Sequence, residues 1–274
     1  MSKPDFIGIG AMKAGTTWLY QCLSEHPEIF LIEKEFNFFS NKKKWLEGFD
    51  WYEKQLENSK KVTGEFSVVY LPNPHAHLRI HNRYPNTKLI VCLRNPADRT
   101  FSHYLHGTKS GFINKLISFS EAVKQFPHLT QTSCYSTFIK KYLKYFSPQQ
   151  MLFLIYEDSL KDPLQYVQSV YRFLEVDDQF VPPSLEKNIF PSYKPRFNLL
   201  EKIIYRRALV RFAKKTWLGK KMGRVTSQLL FNFNKEQVSL SDADRDKMEK
   251  YFYSEIKELE SLIGRPLTQW LRYE

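Results

Sequence analysis

The chain has 274 residues, 42% hydrophobic and 16% aromatic, enough to bury a core and too apolar for a disordered, collagenous or coiled-coil protein. Lys and Arg outnumber Asp and Glu by 41 to 29, a net +12, which calls for an anionic partner: nucleic acid, a membrane surface or a phosphorylated small molecule. Eleven of those cations and a single acid, Glu201, lie between Lys194 and Arg224, so the excess is one patch in sequence and the remainder is close to neutral.

In chain order, Phe6-Ile7-Gly8-Ile9-Gly10 is a short apolar run ending in glycine and predicts a buried strand. A helix with Leu19 and Leu23 inward follows, ending near Glu25-His26-Pro27. Ile29–Ile32 and Val62–Phe66 predict two further strands, Lys88–Leu93 the strongest one, and Met151–Tyr156 its nearest rival. Helical patterns lie between them at His75–Tyr84, Ala97–His106, Tyr135–Phe146 and Pro163–Leu174. Strands alternating with helices predict an α/β fold with a doubly wound, mostly parallel central sheet. Beyond Glu175, Pro182-Pro183 and Pro191 to Pro195 predict irregular segments. A basic amphipathic helix at 198–215 and a long C-terminal helix at Asp242–Leu262, capped by Ser241, complete a single domain spanning 1–274. The basic helix presents a solvated face, or a contact with an anionic membrane. Cys22, Cys92 and Cys134 have no metal-ligand spacing and read as reduced thiols. No apolar run reaches the roughly 20 residues of a membrane span. The expected location is the cytoplasm.

The sharpest motif is Gly10-Ala11-Met12-Lys13-Ala14-Gly15-Thr16-Thr17-Trp18, set between a strand and a helix as a phosphate loop requires. Its glycine spacing is that of a Walker A loop, but Thr16 stands where the lysine belongs and Lys13 lies inside the loop. The strongest strand ends in Arg94, not in an acid that would hold Mg²⁺. Arg94 offers a bidentate fork for phosphate, and Ser102 on the following helix adds a hydroxyl. Two anionic groups held without a metal is the expectation. A plain strand-turn-helix, an Mg-dependent kinase or NTPase using Glu157-Asp158, and a basic binding module without catalysis are the alternatives. No nucleic-acid-binding motif supports the last.

These residues resemble the PAPS-dependent sulfotransferases, particularly the branch of the heparan sulfate sulfotransferase domains and bacterial enzymes. Lys13 to Trp18 is similar to that family's 5′-phosphosulfate loop. Arg94-Asn95-Pro96-x-x-Arg99-x-x-Ser102-x-Tyr104 resembles its 3′-phosphate motif. Ser133-Cys134-Tyr135, Tyr156–Leu160 and Arg265-Pro266-Leu267-x-x-Trp270 extend the likeness over nearly the whole chain. The resemblance implies 3′-phosphoadenosine 5′-phosphosulfate (PAPS) as donor, no metal, and cofactor contacts from Lys13, Ala14, Gly15, Thr16, Thr17, Trp18, Arg94 and Ser102. Arg196, or else Lys220 and Arg224, would cover the 3′-phosphate. Lys13 would bridge leaving and transferring oxygens, and Glu35, two residues before Asn37-Phe38-Phe39, would be the general base. A raised pKa is expected for Glu35 beside Phe36, Phe38 and Phe39. His75, His77, His103 and His106 are the alternative bases. Where heparan-type enzymes show Glu-Lys-Ser/Thr, this chain has Glu65-Phe66-Ser67. That departure implies a small-molecule or glycolipid acceptor in place of a sulfated glycan, with simpler carbohydrates also open.

Overall fold

The computed structural model describes residues 3–57, 60–186, 193–195, 235–237 and 239–272. Five parallel strands form its sheet in the order β2-β3-β1-β4-β5: β1 Phe6–Gly10, β2 Ile29–Leu31, β3 Val62–Phe66, β4 Lys88–Leu93 and β5 Met151–Ile155. Each had been legible as a short apolar run because parallel strands buried on both faces carry little polar alternation. β1 lies at the centre, paired with β3 on one side and β4 on the other, and every residue in it is buried. Its Gly8 is required by packing: a Cβ there would meet the Phe66 ring at 2.1 Å.

Helices flank the sheet in two groups. α1 Thr16–Ser24 packs against a later helix, Pro163–Leu174, through Trp18 on Tyr166 at 5.9 Å between rings. The longer helix Pro96–Ser110, the helix Tyr135–Leu143 and the C-terminal helix Asp242–Ile263 form the second group. In chain order the set is α1, α2 Lys42–Leu46, α3 Gly48–Gln55, α4 Ala76–Arg83, α5 Pro96–Ser110, α6 Phe119–Gln125, α7 His128–Gln131, α8 Tyr135–Leu143, α9 Tyr156–Lys161, α10 Pro163–Leu174 and α11 Asp242–Ile263. The helix expected from Ala97 continues a turn past His106 and stops at Gly111, whose φ of 81° caps it. Ser241 caps α11 by accepting the Asp244 N–H at 3.2 Å.

Several elements differ from the sequence expectation. β5 stops at Ile155, and Tyr156 opens α9 instead of closing the strand. α2 and α3 had no visible period because Lys42-Lys43-Lys44 and Asp50 interrupt their apolar residues. They form because Trp45, Phe49, Trp51 and Tyr52 pack on Phe36, Phe38 and Phe39. Tyr193–Pro195, expected to be irregular, is a strand (β6) paired antiparallel with Lys235–Gln237 (β7). Arg196, the basic helix at 198–215 and the Lys220 to Arg224 segment lie outside the described residues. Among the described residues, no helix is long and apolar enough to cross a membrane.

The C-terminal helix and tail brace the sheet's working end. Glu255 accepts both the Ser136 N–H and its hydroxyl at 2.7 and 2.6 Å, and Arg245 pairs with Asp98 at 2.6 Å. Trp270, 1% exposed, donates its indole N–H to Glu157 at 2.9 Å, while Asn95 donates to the Trp270 carbonyl at 3.0 Å.

Candidate active site

Because β1 and β4 are neighbours, the segments after their C-terminal ends meet at the point where strand order reverses. Open α/β sheets form their ligand crevices there. After β1 the chain turns through Lys13 at φ 72° and Gly15 at φ 81°, and α1 starts at Thr16. A Cβ on Gly15 would meet the Tyr156 ring at 2.8 Å, so glycine satisfies both the backbone angle and the close approach. The first N–H groups of a helix lack carbonyl partners of its regular ladder, which makes the α1 N-terminus suited to an anion.

After β4, Arg94 lies half-buried over the Tyr156 ring at 4.7 Å and donates to the Lys13 carbonyl at 3.3 Å. Its own backbone is fixed: Tyr135 donates to the Arg94 carbonyl at 2.9 Å, and Glu157 accepts the Asn95 N–H at 2.9 Å. Asn95 then caps α5 through Ala97 and Asp98, with Pro96 in the first turn. Two turns along, buried Ser102 reaches the same crevice. Between them Arg99, 1% exposed, donates to Ser133 Oγ and the Leu129 carbonyl, both at 2.6 Å, and burial pushes its pKa down to about 10.

The crevice holds about 540 Å³, and its lining includes Lys13, Gly15, Thr16, Thr17, Glu35, Arg94 and Ser102. Trp18 borders it too, but its N–H donates to the Gly15 carbonyl at 3.1 Å and its indole to the Ser184 carbonyl at 3.3 Å. The anion-holding N–H expected from Trp18 is therefore turned into the helix. Ala14 is fully buried and faces the core. Glu35, at φ 59°, accepts the Val68 N–H on Oε2 at 3.1 Å and pairs with Lys34 through Oε1 at 2.6 Å. The phenylalanines expected to wrap it face the core instead: Phe38 stacks on Tyr52 at 4.4 Å and Phe36 on Trp51 at 5.4 Å.

A family model described as "Sulfotransferase domain" matches residues 3–198. The chain belongs to the sulfotransferase family. Human bifunctional heparan sulfate N-deacetylase/N-sulfotransferase 3 is 29% identical over 99% of this chain and 31% of its own length. Mouse heparan sulfate glucosamine 3-O-sulfotransferase 5 is 28% identical over 72% of this chain and 61% of its own. The chain thus spans less than two thirds of these curated relatives. A sulfotransferase from Alicyclobacillus acidocaldarius has the same fold, with a TM-score of 0.71 at 24% identity, covering 98% of this chain and 99% of the other.

The charge of the crevice suits an anionic donor such as PAPS. Lys13 has its pKa lowered by burial and then by Arg94, Lys109 and Arg99, so these cations crowd one another until an anion separates them. Glu35 is the only acid among the described lining residues. The acids that could have held Mg²⁺ for a kinase are engaged elsewhere. Glu157 uses one oxygen on Asn95 and the other on Trp270, and Asp158 pairs with Arg265 at 2.7 Å.

The structure also brings in Lys34, Val68 and Val69, which the motifs did not mark, and sets Asn37, His106 and Tyr156 beside them on the same lining. Asn37 sits at φ 61°, and its Oδ1 is buried with no described hydrogen-bond partner. Its position between Glu35 and the two phenylalanines was the available signal. Of the four histidines considered as bases, His106 alone lines the crevice, and burial followed by Lys13 and Lys109 lowers its pKa. His77 packs among Tyr142 and Tyr145, and His75 precedes α4 away from the site.

His103, within α5, is held neutral. Burial first, then Arg99, pushes its pKa from 6.5 to about 3, and Arg99 faces its Nδ1 at 3.2 Å. A depressed pKa gives stability that is present above the unfolded value and lost as pH falls through the folded one. The wild-type melting temperature should therefore fall from pH 6.5 towards 3 more steeply than that of His103→Gln, compared by calorimetry across that window. Parallel profiles would show that His103 does not carry this linkage.

Proposed function

We propose that the chain transfers a sulfuryl group from PAPS to a hydroxyl or amine of a small metabolite or glycolipid, by in-line displacement without a metal. The observation that carries the reading is the convergence of Lys13, Arg94, Ser102 and Glu35 on one crevice at the β1/β4 switch point. PAPS, when bound, supplies an activated sulfuryl group on a phosphate leaving group. Lys13 neutralises charge on the oxygens between those two groups, with Thr16, Thr17 and the α1 N-terminus holding the phosphosulfate. Arg94 grips the 3′-phosphate through its fork, and Ser102 donates to it. Ala14 and Gly15 contribute backbone alone, and Arg196 covers the nucleotide in the same proposal.

Glu35 takes the proton from the acceptor. Each carboxylate oxygen has two lone pairs, and Lys34 and Val68 occupy one on each oxygen, so capacity remains for the incoming proton. The loose transition state expected for such transfer leaves the protein mainly a positioning task. Phe66 supports a small acceptor. It stands where heparan-type relatives carry lysine, and it is fully buried over Gly8 instead of lining the crevice. Met12, Val68 and Val69 give the acceptor end apolar walls. The packing of α11 and Trp270 onto α5, α8 and the Arg94–Asn95 turn supports one domain. Cys22, Cys92 and Cys134 as reduced thiols support the cytoplasm as its location, and contact with an anionic membrane would fall to the basic segment 198–215.

Calorimetric titration with 3′-phosphoadenosine 5′-phosphate (PAP) in EDTA tests the donor, and labelled PAPS with a panel of alcohols, amines, glycolipids and N-desulfated heparin tests the acceptor. Metal-free PAP binding with turnover on the small acceptors is expected. Strict Mg-ATP dependence would overturn the reaction class. Turnover confined to the polysaccharide would overturn the acceptor class.

A further inference from the structure

The loop that carries Glu35 is tied to the chain leaving β3 at alternate residues. Glu35 donates its N–H to the Phe66 carbonyl at 2.8 Å, Asn37 to Ser67 Oγ at 2.9 Å, and Phe39 to Tyr70 Oη at 3.2 Å. The pattern is that of a strand ladder, except that two of the three acceptors are hydroxyl oxygens. A hydroxyl can donate or accept, and it accepts reliably only when its own proton is committed elsewhere. Here both protons go to the same group. Ser67 donates to Glu65 Oε2 at 3.0 Å, and Tyr70 donates to both Glu65 oxygens at 3.1 Å. Tyr52 of α3 adds a third hydroxyl, on Oε1 at 2.8 Å.

Glu65 is 0% exposed and lines no part of the crevice. A carboxylate accepts hydrogen bonds at every lone pair, so it fixes the direction of all three hydroxyls at once. The loop needs such fixing, since Glu35 at φ 59° and Asn37 at φ 61° occupy backbone regions that side-chain-bearing residues disfavour. Lys44 completes the frame from outside by donating to the Phe36 carbonyl at 2.7 Å.

We infer that Glu65 is a positioning residue for transfer: through Ser67 and Tyr70 it orients the N–H acceptors that hold the Glu35 loop, and thereby sets where the base meets its acceptor. This rests on the assignment of Glu35 as base. Glu65→Gln would still offer one oxygen that Ser67 and Tyr70 can share, whereas Glu65→Leu, of similar size, removes both oxygens and leaves neither hydroxyl a carboxylate to donate to.

The test needs no natural acceptor. Residue-resolved hydrogen exchange of Glu65→Leu should speed the Asn37 and Phe39 amides at least about tenfold while β1 and β4 keep their protection. Ser67→Ala should release Asn37 and leave Phe39 protected, which keeps the proposal testable if the Leu variant folds poorly. Sulfate release from PAPS with water as acceptor should fall about tenfold in Glu65→Leu at unchanged PAP affinity, and Glu65→Leu should add no further loss in a Glu35→Gln background. Unchanged exchange at Asn37 and Phe39, or equal losses in both backgrounds, would overturn the role of Glu65. Full release by Glu35→Gln alone would overturn the base assignment, and the exchange data would still decide whether Glu65 holds the loop.

Discussion

Lys13→Ala should lower sulfuryl transfer by about 10²- to 10³-fold, the usual cost of removing a preorganised charge from a transition state. The lysine sits in a loop whose shape does not depend on its side chain. Gly15 and the start of α1 set the turn, and Arg94 holds the Lys13 carbonyl, not its ammonium. The substitution also removes a half-buried cation whose pKa is lowered first by burial and then by repulsion from Arg94, Lys109 and Arg99. The melting temperature should therefore stay level or rise. PAP should still bind, because Arg94, Ser102 and the helix N-terminus remain. Single-turnover transfer from labelled PAPS, PAP titration and a thermal melt together check the result. Turnover at the wild-type rate would remove Lys13 from the centre of the mechanism.

Glu35→Gln should reduce kcat by about 10²- to 10⁴-fold, the range for loss of a general base, while PAP affinity stays within about twofold of wild type. The amide oxygen can still accept the Val68 N–H, so the loop keeps one of its ties. What disappears is the Lys34 pair and the ability to take a proton. The Lys34 pair is partly exposed and is worth only about 0–1 kcal/mol to stability. His106→Ala, measured beside it, separates the two bases the crevice offers. An inactive His106→Ala with an active Glu35→Gln would move the role to the imidazole, whose lowered pKa keeps it neutral near pH 7. The reverse result is expected.

Much of the site could be read in the chain because its parts are local. Lys13 and Gly15 belong to one strand-turn-helix, and Arg94 to Ser102 lie within two turns of one capped helix. Their meeting then follows from the parallel sheet, which puts the ends of β1 and β4 side by side. The aromatic segment after Glu35 was harder. Phe36, Phe38 and Phe39 look like neighbours of the carboxylate in sequence, but the left-handed residues Glu35 and Asn37 send those rings to the core and the carboxylate to the crevice. No pattern of residue types encodes that reversal. Glu157 and Asp158 show the same limit from the other side. They read as a metal pair by position, and the tail residue Trp270 and Arg265 occupy them.

The net +12 opened the question of an anionic partner, and the sequence by itself determined its class, because anion loops and helix caps depend on residues close together in the chain. It also determined the sheet, since buried parallel strands are continuous apolar runs. Only the tertiary structure decided which carboxylates have which task. Glu35 lines the crevice, Glu65 is buried behind it with three hydroxyls, and Glu157 holds the C-terminal tail. Each outcome depends on partners 33 to 113 positions away for Glu35 and Glu157 and, for Glu65, on a tyrosine from a helix with no sequence signal. A carboxylate's role follows from its desolvation and from which donors reach it, and both are properties of packing.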